Sequence, residues 1–217
     1  MVDQFFNLGI MWQALPYLLY GLGVTLLLTA VLAPLGILLG LALALASNTR
    51  NRVLRVIVRS SVNVFRALPP LVLIIFIFSA LPFLGIRLPA LFAVTVALLV
   101  NCGAYYCEIL RAGLTSVPAG QVEAARSTGL GAAQTLRYVT LPQAVRNVLP
   151  DLSSNTIEVV KATSLASIIG VQELLYLAGV ARSITYNASP IVLASIMYLI
   201  VLLPAVRLAG RLGQRPA

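Results

Sequence analysis

An all-α integral membrane fold with five spanning helices is what this sequence predicts, and three observations carry the prediction. Hydrophobic residues make up 60% and charged residues only 10% of the 217 positions, with a mean hydropathy of +0.98. Soluble domains hold about half apolar and about a quarter charged residues. The apolar residues fall in runs of helical length, as a bilayer core of about 30 Å requires when every backbone polar group must be paired within its own segment. Basic residues gather at alternate ends of those runs.

The spans are expected at about 17–46, 60–82, 89–115, 143–170 and 188–210, within a single transmembrane unit covering 1–217. Asp3 and the lack of nearby Lys or Arg argue against a cleavable signal peptide, so the first span is expected to stay. Within it Gly36, Gly40 and Ala44 recur every four residues and offer a small-residue packing face. Pro82, Gly85 and Pro89 separate the second and third spans, Pro118 and Pro142 the third and fourth, and Pro190 opens the fifth. Arg50, Arg52, Arg55, Arg59 and Arg66 lie in or beside the first connection, Arg111, Arg126, Arg137 and Arg146 surround the third, and Arg207, Arg211 and Arg215 close the chain. The other two connections hold only Arg87 and Arg182, which puts the N-terminus outside and the C-terminus in the cytoplasm.

Several function classes drop out. The net charge of +9 resides at span ends, where anionic lipid headgroups explain it and nucleic acid is not needed. There is no His, and Cys102 and Cys107 have neither redox nor zinc spacing, so packing roles and no metal site are expected. No phosphate-binding loop or nucleophile elbow occurs, so no catalytic residue is assigned and any ATP chemistry belongs to a partner.

The segment 121–142 stands apart. Glu123 to Ser127 is good helix, and Ala124 and Ala125 permit close approach. Gly129 and Gly131, flanking Leu130, divide it from a second arm that reaches Leu141 and Pro142. The residues fit an amphipathic elbow resting on headgroups or a docking knob for a soluble partner. EAARSTG, nine residues and then VTLP resemble the EAA signature of ABC-importer permeases, with Glu123, Ala124, Ala125, Gly129, Val139, Leu141 and Pro142 in register. YGLGVTLLLTA, VFRALPPLVLIIF, GAYYCEILRAGLTSVPAGQVEAA, LPQAVRNVLPDL and KATSLASIIGVQEL are similar to the polar amino-acid branch, that of histidine, glutamine and arginine permeases. Two departures fall where substrate would pass: Ala67-Leu68-Pro69 where the branch often has Gly-Thr-Pro, and Ser154-Asn155 where it often has Asn-Glu or Asn-Gln.

The resemblance implies a bacterial inner-membrane permease of the type I importer fold, without a cofactor of its own. Its partners would be a second permease chain, identical or related, a homodimeric ABC ATPase that binds ATP and Mg, an external amino-acid-binding protein, membrane lipid and an amino-acid substrate. Residues 121–142 would be the coupling helix, with Glu123 in polar contact, Ala124 and Ala125 allowing approach, and Gly129 making the turn.

Asn155, Glu158 and Lys161 recur at steps of three in the fourth span and share an arc of about 120° on a helix of roughly 3.6 residues per turn, with Thr163 and Ser164 following. Ionisable groups inside a bilayer face a cavity or each other, so Glu158 and Lys161 are either a self-neutralising pair or a substrate lining. Asn101 and Tyr105 suit helix-to-helix hydrogen bonding or the same lining, and Arg66, in FRALP, suits snorkelling or the pathway. The rival class is a self-contained channel or ion-coupled carrier whose elbow only rests on the membrane; the absence of a visible inverted repeat fits it poorly.

Overall fold

The computed structural model describes residues 2–213, so Arg215 lies outside the described residues. After a short helical turn, α1 (Val2–Phe5), the chain enters α2 (Leu8–Ser47), where the Asn7 side chain caps the helix by accepting from the Ile10 N–H at 3.1 Å. The helix starts well before position 17 and runs through Pro16 without stopping. At roughly 1.5 Å per residue its 40 residues exceed the thickness of a bilayer, which calls for tilt.

The expected second span is two helices. Asn51 caps α3 (Arg52–Ala67), accepting from the Val53 and Leu54 N–H groups, and the chain then turns by 101° into α4 (Pro70–Ile75), which continues to Leu84. The turn lies at Leu68-Pro69-Pro70, because two successive prolines withdraw two N–H donors and fix the backbone away from the helical path. The segments expected as the third and fifth spans are helical, as α5 (Ala90–Ser116) and α10 (Ser189–Gly213).

Between them come α6 (Ala119–Ser127), α7 (Ala132–Thr135), α8 (Leu141–Ala162) and α9 (Leu174–Thr185). The run from Ala132 to Ile169 is helical throughout, so Pro142 neither ends one helix nor begins another. A π-helical stretch, Leu136–Thr140, precedes this proline, as Phe76–Ala80 precedes Pro82. Each wider turn ends two residues before a ring that cannot donate to the preceding turn. A 48° bend after Ile169 separates the run from α9. Leu8–Ser47, Ala90–Ser116 and Ser189–Arg211 are long and apolar enough to cross a membrane, and the two bent pairs bring the count to five if each is one span.

Alignment of α2 with α5 is parallel. The Cys102 thiol lies 3.9 Å from the Leu32 carbonyl, and a Cβ on Gly40 would stand 2.5 Å from Tyr106 Cβ. The small-residue face of α2 is therefore the bed for α5, and Cys102 and Cys107 are buried free thiols. In contrast α8 is antiparallel to α5, with Tyr106 Oη 2.8 Å from Thr156 Oγ1 and the Asn147 amide donating to Ser116 Oγ at 2.8 Å. One end of the bundle gathers Asn7 and Ser189, bonded at 2.8 Å; the other gathers Ser47, Ser116 and the α6 elbow.

Candidate functional site: an elbow joined by one helix to a polar cavity

Pro118 opens α6, and Gly129 closes it at φ +90°. The Gly129 N–H donates to the Arg126 carbonyl at 3.0 Å and the Leu130 N–H to the Ala125 carbonyl at 3.4 Å. This is a Schellman ending, which turns the chain sharply and satisfies carbonyls the helix leaves open. The Gly131 N–H then donates to Gln134 Oε1 at 2.9 Å and starts the second arm. Glu123 and Ala124 are exposed, whereas Ala125 is buried against the elbow's own second arm. Leu141 and Pro142 lie in the continuous helix beyond the π-helical stretch.

Far along that helix lies a cavity of about 280 Å³ whose polar lining is Asn101, Tyr105, Asn155 and Glu158. Asn101 and Tyr105 hold the break between α3 and α4. The two prolines deprive the Phe65 and Arg66 carbonyls of their helical donors; the Asn101 amide donates to Phe65 O at 3.0 Å and the Tyr105 hydroxyl to Arg66 O at 3.1 Å. The two side chains thus take the place of two missing N–H groups and also face the cavity. Asn155 lines the cavity, with its Nδ2 buried beside the Tyr106 hydroxyl.

Glu158 also accepts from Lys161 Nζ at 2.6 Å, and both side chains are exposed, at 64% and 53%, on a helix that is apolar enough to cross a membrane only when taken together with α9. Lipid would not tolerate that exposure, so this face meets water or another protein. Arg66 sits 5.5 Å from the Tyr105 ring centre and 3.7 Å from Glu108 Oε2, beside the cavity rather than in its wall. The Thr163 and Ser164 hydroxyls donate to the carbonyls of Val160 and Lys161, both at 2.7 Å, and neither lines the cavity. The structure therefore gathers Asn101, Tyr105, Asn155 and Glu158, adds Lys161 through Glu158, and leaves Thr163 and Ser164 in their own helix.

Sequence reasoning missed Glu173. It is fully buried at the bend before α9. Its carboxyl group caps α9 by accepting from the Leu175 and Tyr176 N–H groups at 3.0 and 2.7 Å, and accepts from the Tyr198 hydroxyl of α10 at 3.0 Å. The neighbouring Leu174 N–H donates to Thr25 Oγ1 of α2 at 3.3 Å, so three helices meet here. The signal was a lone acidic residue within GVQEL; its partner Tyr198 is distant in sequence. Glu173→Ala would leave two amides and a phenol without an acceptor, and a loss of about 3 kcal/mol is expected. Thermal unfolding in detergent measures it, and an unchanged midpoint contradicts the junction's structural weight.

Comparison with known proteins agrees with this architecture. Residues 34–217 match the family described as binding-protein-dependent transport system inner membrane component. A probable amino-acid ABC transporter permease, YckA of Bacillus subtilis (strain 168), is 34% identical over 94% of this chain and 91% of its own length. A probable glutamine permease, GlnP of the same organism, is 37% identical over 87% of this chain and 88% of its own. The octopine permease OccM of Rhizobium radiobacter is 37% identical over 84% and 78%. A crystal structure of an amino acid ABC transporter with histidines superposes with a TM-score of 0.86 at 34% identity, over 95% of this chain and 97% of that one. An inward-facing methionine ABC transporter, 24% identical with a TM-score of 0.79 over 94% and 96%, shares the fold. The chain thus belongs to the binding-protein-dependent inner-membrane components, as a multi-pass ABC-importer permease of the polar amino-acid branch.

Proposed function

We propose that this permease carries a polar amino acid inward, that two such chains, identical or related, enclose the pathway, and that a homodimeric ATPase grips α6 and the elbow from the cytoplasm. An external binding protein would deliver the solute at the opposite end. The observation that carries this reading is the unbroken helical run Ala132–Ile169, which has the elbow at one end and Asn155 and Glu158 along its length. A push on the elbow is passed rigidly to the cavity about 40 Å away, at roughly 1.5 Å per residue. The relatives named for amino-acid and glutamine transport support the substrate class.

Alternating access follows if ATP favours one arrangement of the paired chains. Moving a two-state equilibrium from 1:99 to 99:1 takes about 5.5 kcal/mol of differential affinity, so nucleotide binding must be felt without slack at the elbow. In the cavity, Glu158 would meet the amino group of the solute, with Asn101, Tyr105 and Asn155 as its polar surroundings. Glu158→Gln is therefore expected to lower uptake about tenfold in proteoliposomes that contain the whole transporter, assayed with a panel of polar amino acids. Uptake and substrate range equal to those of the unaltered protein would remove Glu158 from the pathway.

A further inference from the structure

A second, smaller cavity of about 130 Å³ lies at the coupling end, between the end of α2 and the facing sides of α3 and α5, with Ser47, Arg59, Asn63, Glu108 and Arg111 in its wall. Its charge is unbalanced. Arg111 holds Glu108 through two hydrogen bonds, one of them from Nε at 3.2 Å, and Arg66 approaches the same carboxylate at 3.7 Å with its buried Nε unpartnered. Arg59 makes no ion pair among the described residues. In the wall two guanidiniums stand against one carboxylate, leaving one positive charge, and Arg66 adds a second from outside the wall.

The surroundings indicate which anion fits. On α3, Val53, Leu54, Ile57 and Val64 are exposed beside the stripe of Arg52, Arg55 and Arg59, the pattern of a helix lying where hydrocarbon meets headgroups. Guanidinium forks match phosphate oxygens in spacing and charge, and the Asn63 amide adds a neutral donor. We propose that this cavity binds a phosphate oxyanion, carried by an anionic phospholipid of the adjoining leaflet or free in solution. The bound anion would tie α3 to α5 a few residues before α5 passes into the coupling segment.

The test uses the full chain purified in mild detergent with its copurifying subunits and washed free of lipid. One arm offers vesicles of phosphatidylglycerol and phosphatidylcholine, or phosphatidylcholine alone, and counts retained lipid by native mass spectrometry. The other offers inorganic phosphate and measures binding by calorimetry. Arg59→Gln is expected to weaken binding about tenfold, Arg59→Lys less, and Arg52→Gln, on the same stripe but outside the cavity wall, hardly at all. Arg59 is exposed, so the fold should survive, and size-exclusion behaviour checks it. Arg59-dependent retention of phosphatidylglycerol identifies a lipid site, and Arg59-dependent binding of inorganic phosphate alone identifies a free-ion site. Equal losses in Arg52→Gln and Arg59→Gln, or binding indifferent to Arg59 in both arms, overturn the proposal.

Discussion

Gly40→Val is expected to abolish accumulation of folded protein in the membrane. A Cβ at this position would lie 2.5 Å from Tyr106 Cβ and 2.8 Å from Cys107 N, against about 3.5–4.0 Å for a comfortable carbon contact. The obstruction on the α5 side includes backbone, so rotamer changes cannot relieve it. Even Gly40→Ala should cost about 1–3 kcal/mol by overpacking. Gly23 supplies the control on the same helix: nothing lies within 4 Å of a Cβ built there, and Gly23→Ala should leave yield and melting temperature unchanged or slightly raised. Fluorescence-detected size exclusion of tagged variants reads both outcomes, and a monodisperse Gly40→Val protein at normal yield would contradict this packing.

Gly129→Val should separate ATP hydrolysis from uptake while the subunits stay assembled. Gly129 has no neighbour within 4 Å of a Cβ, so the effect is one of conformation and not of crowding. At φ +90° an L-residue pays about 1–2 kcal/mol, and a β-branched one more. Relief of that strain would redirect the second arm and, through the helix to Ile169, the cavity wall. Uptake is expected to fall at least about tenfold with copurification of the ATPase retained. Gly129→Asn, which tolerates the left-handed region better, should keep most activity. Normal uptake in Gly129→Val would mean that the angle of the elbow is not transmitted.

Much of this architecture is legible in the sequence because membrane physics acts locally. Apolar runs locate α2, α5 and α10, and the Gly129 turn follows from a glycine at a fixed distance after an alanine-rich helix. The break between α3 and α4 is harder to read. Pro69 and Pro70 announce a disturbed helix, but the side chains that make the break tolerable, Asn101 and Tyr105, come from a helix more than thirty residues later. Glu173 is obscure for the same reason, since Tyr198 bonds to it and Thr25 to its neighbour Leu174 from distant parts of the chain. Thr163 and Ser164 suggest a lining by type alone; the tight turns of Thr163–Ile169 direct their hydroxyls to local carbonyls instead.

The coupling role of α6 is tested most directly by cross-linking in intact cells. A single cysteine replaces the exposed Ala124; Cys102 and Cys107 are buried and shielded from a maleimide reagent. The account predicts an adduct between this position and a nucleotide-hydrolysing subunit, identified by mass spectrometry, whose yield changes when ATP is depleted. Efficient labelling of the cysteine with no such adduct, at Ala124 and equally at Glu123 and Arg126, would contradict it.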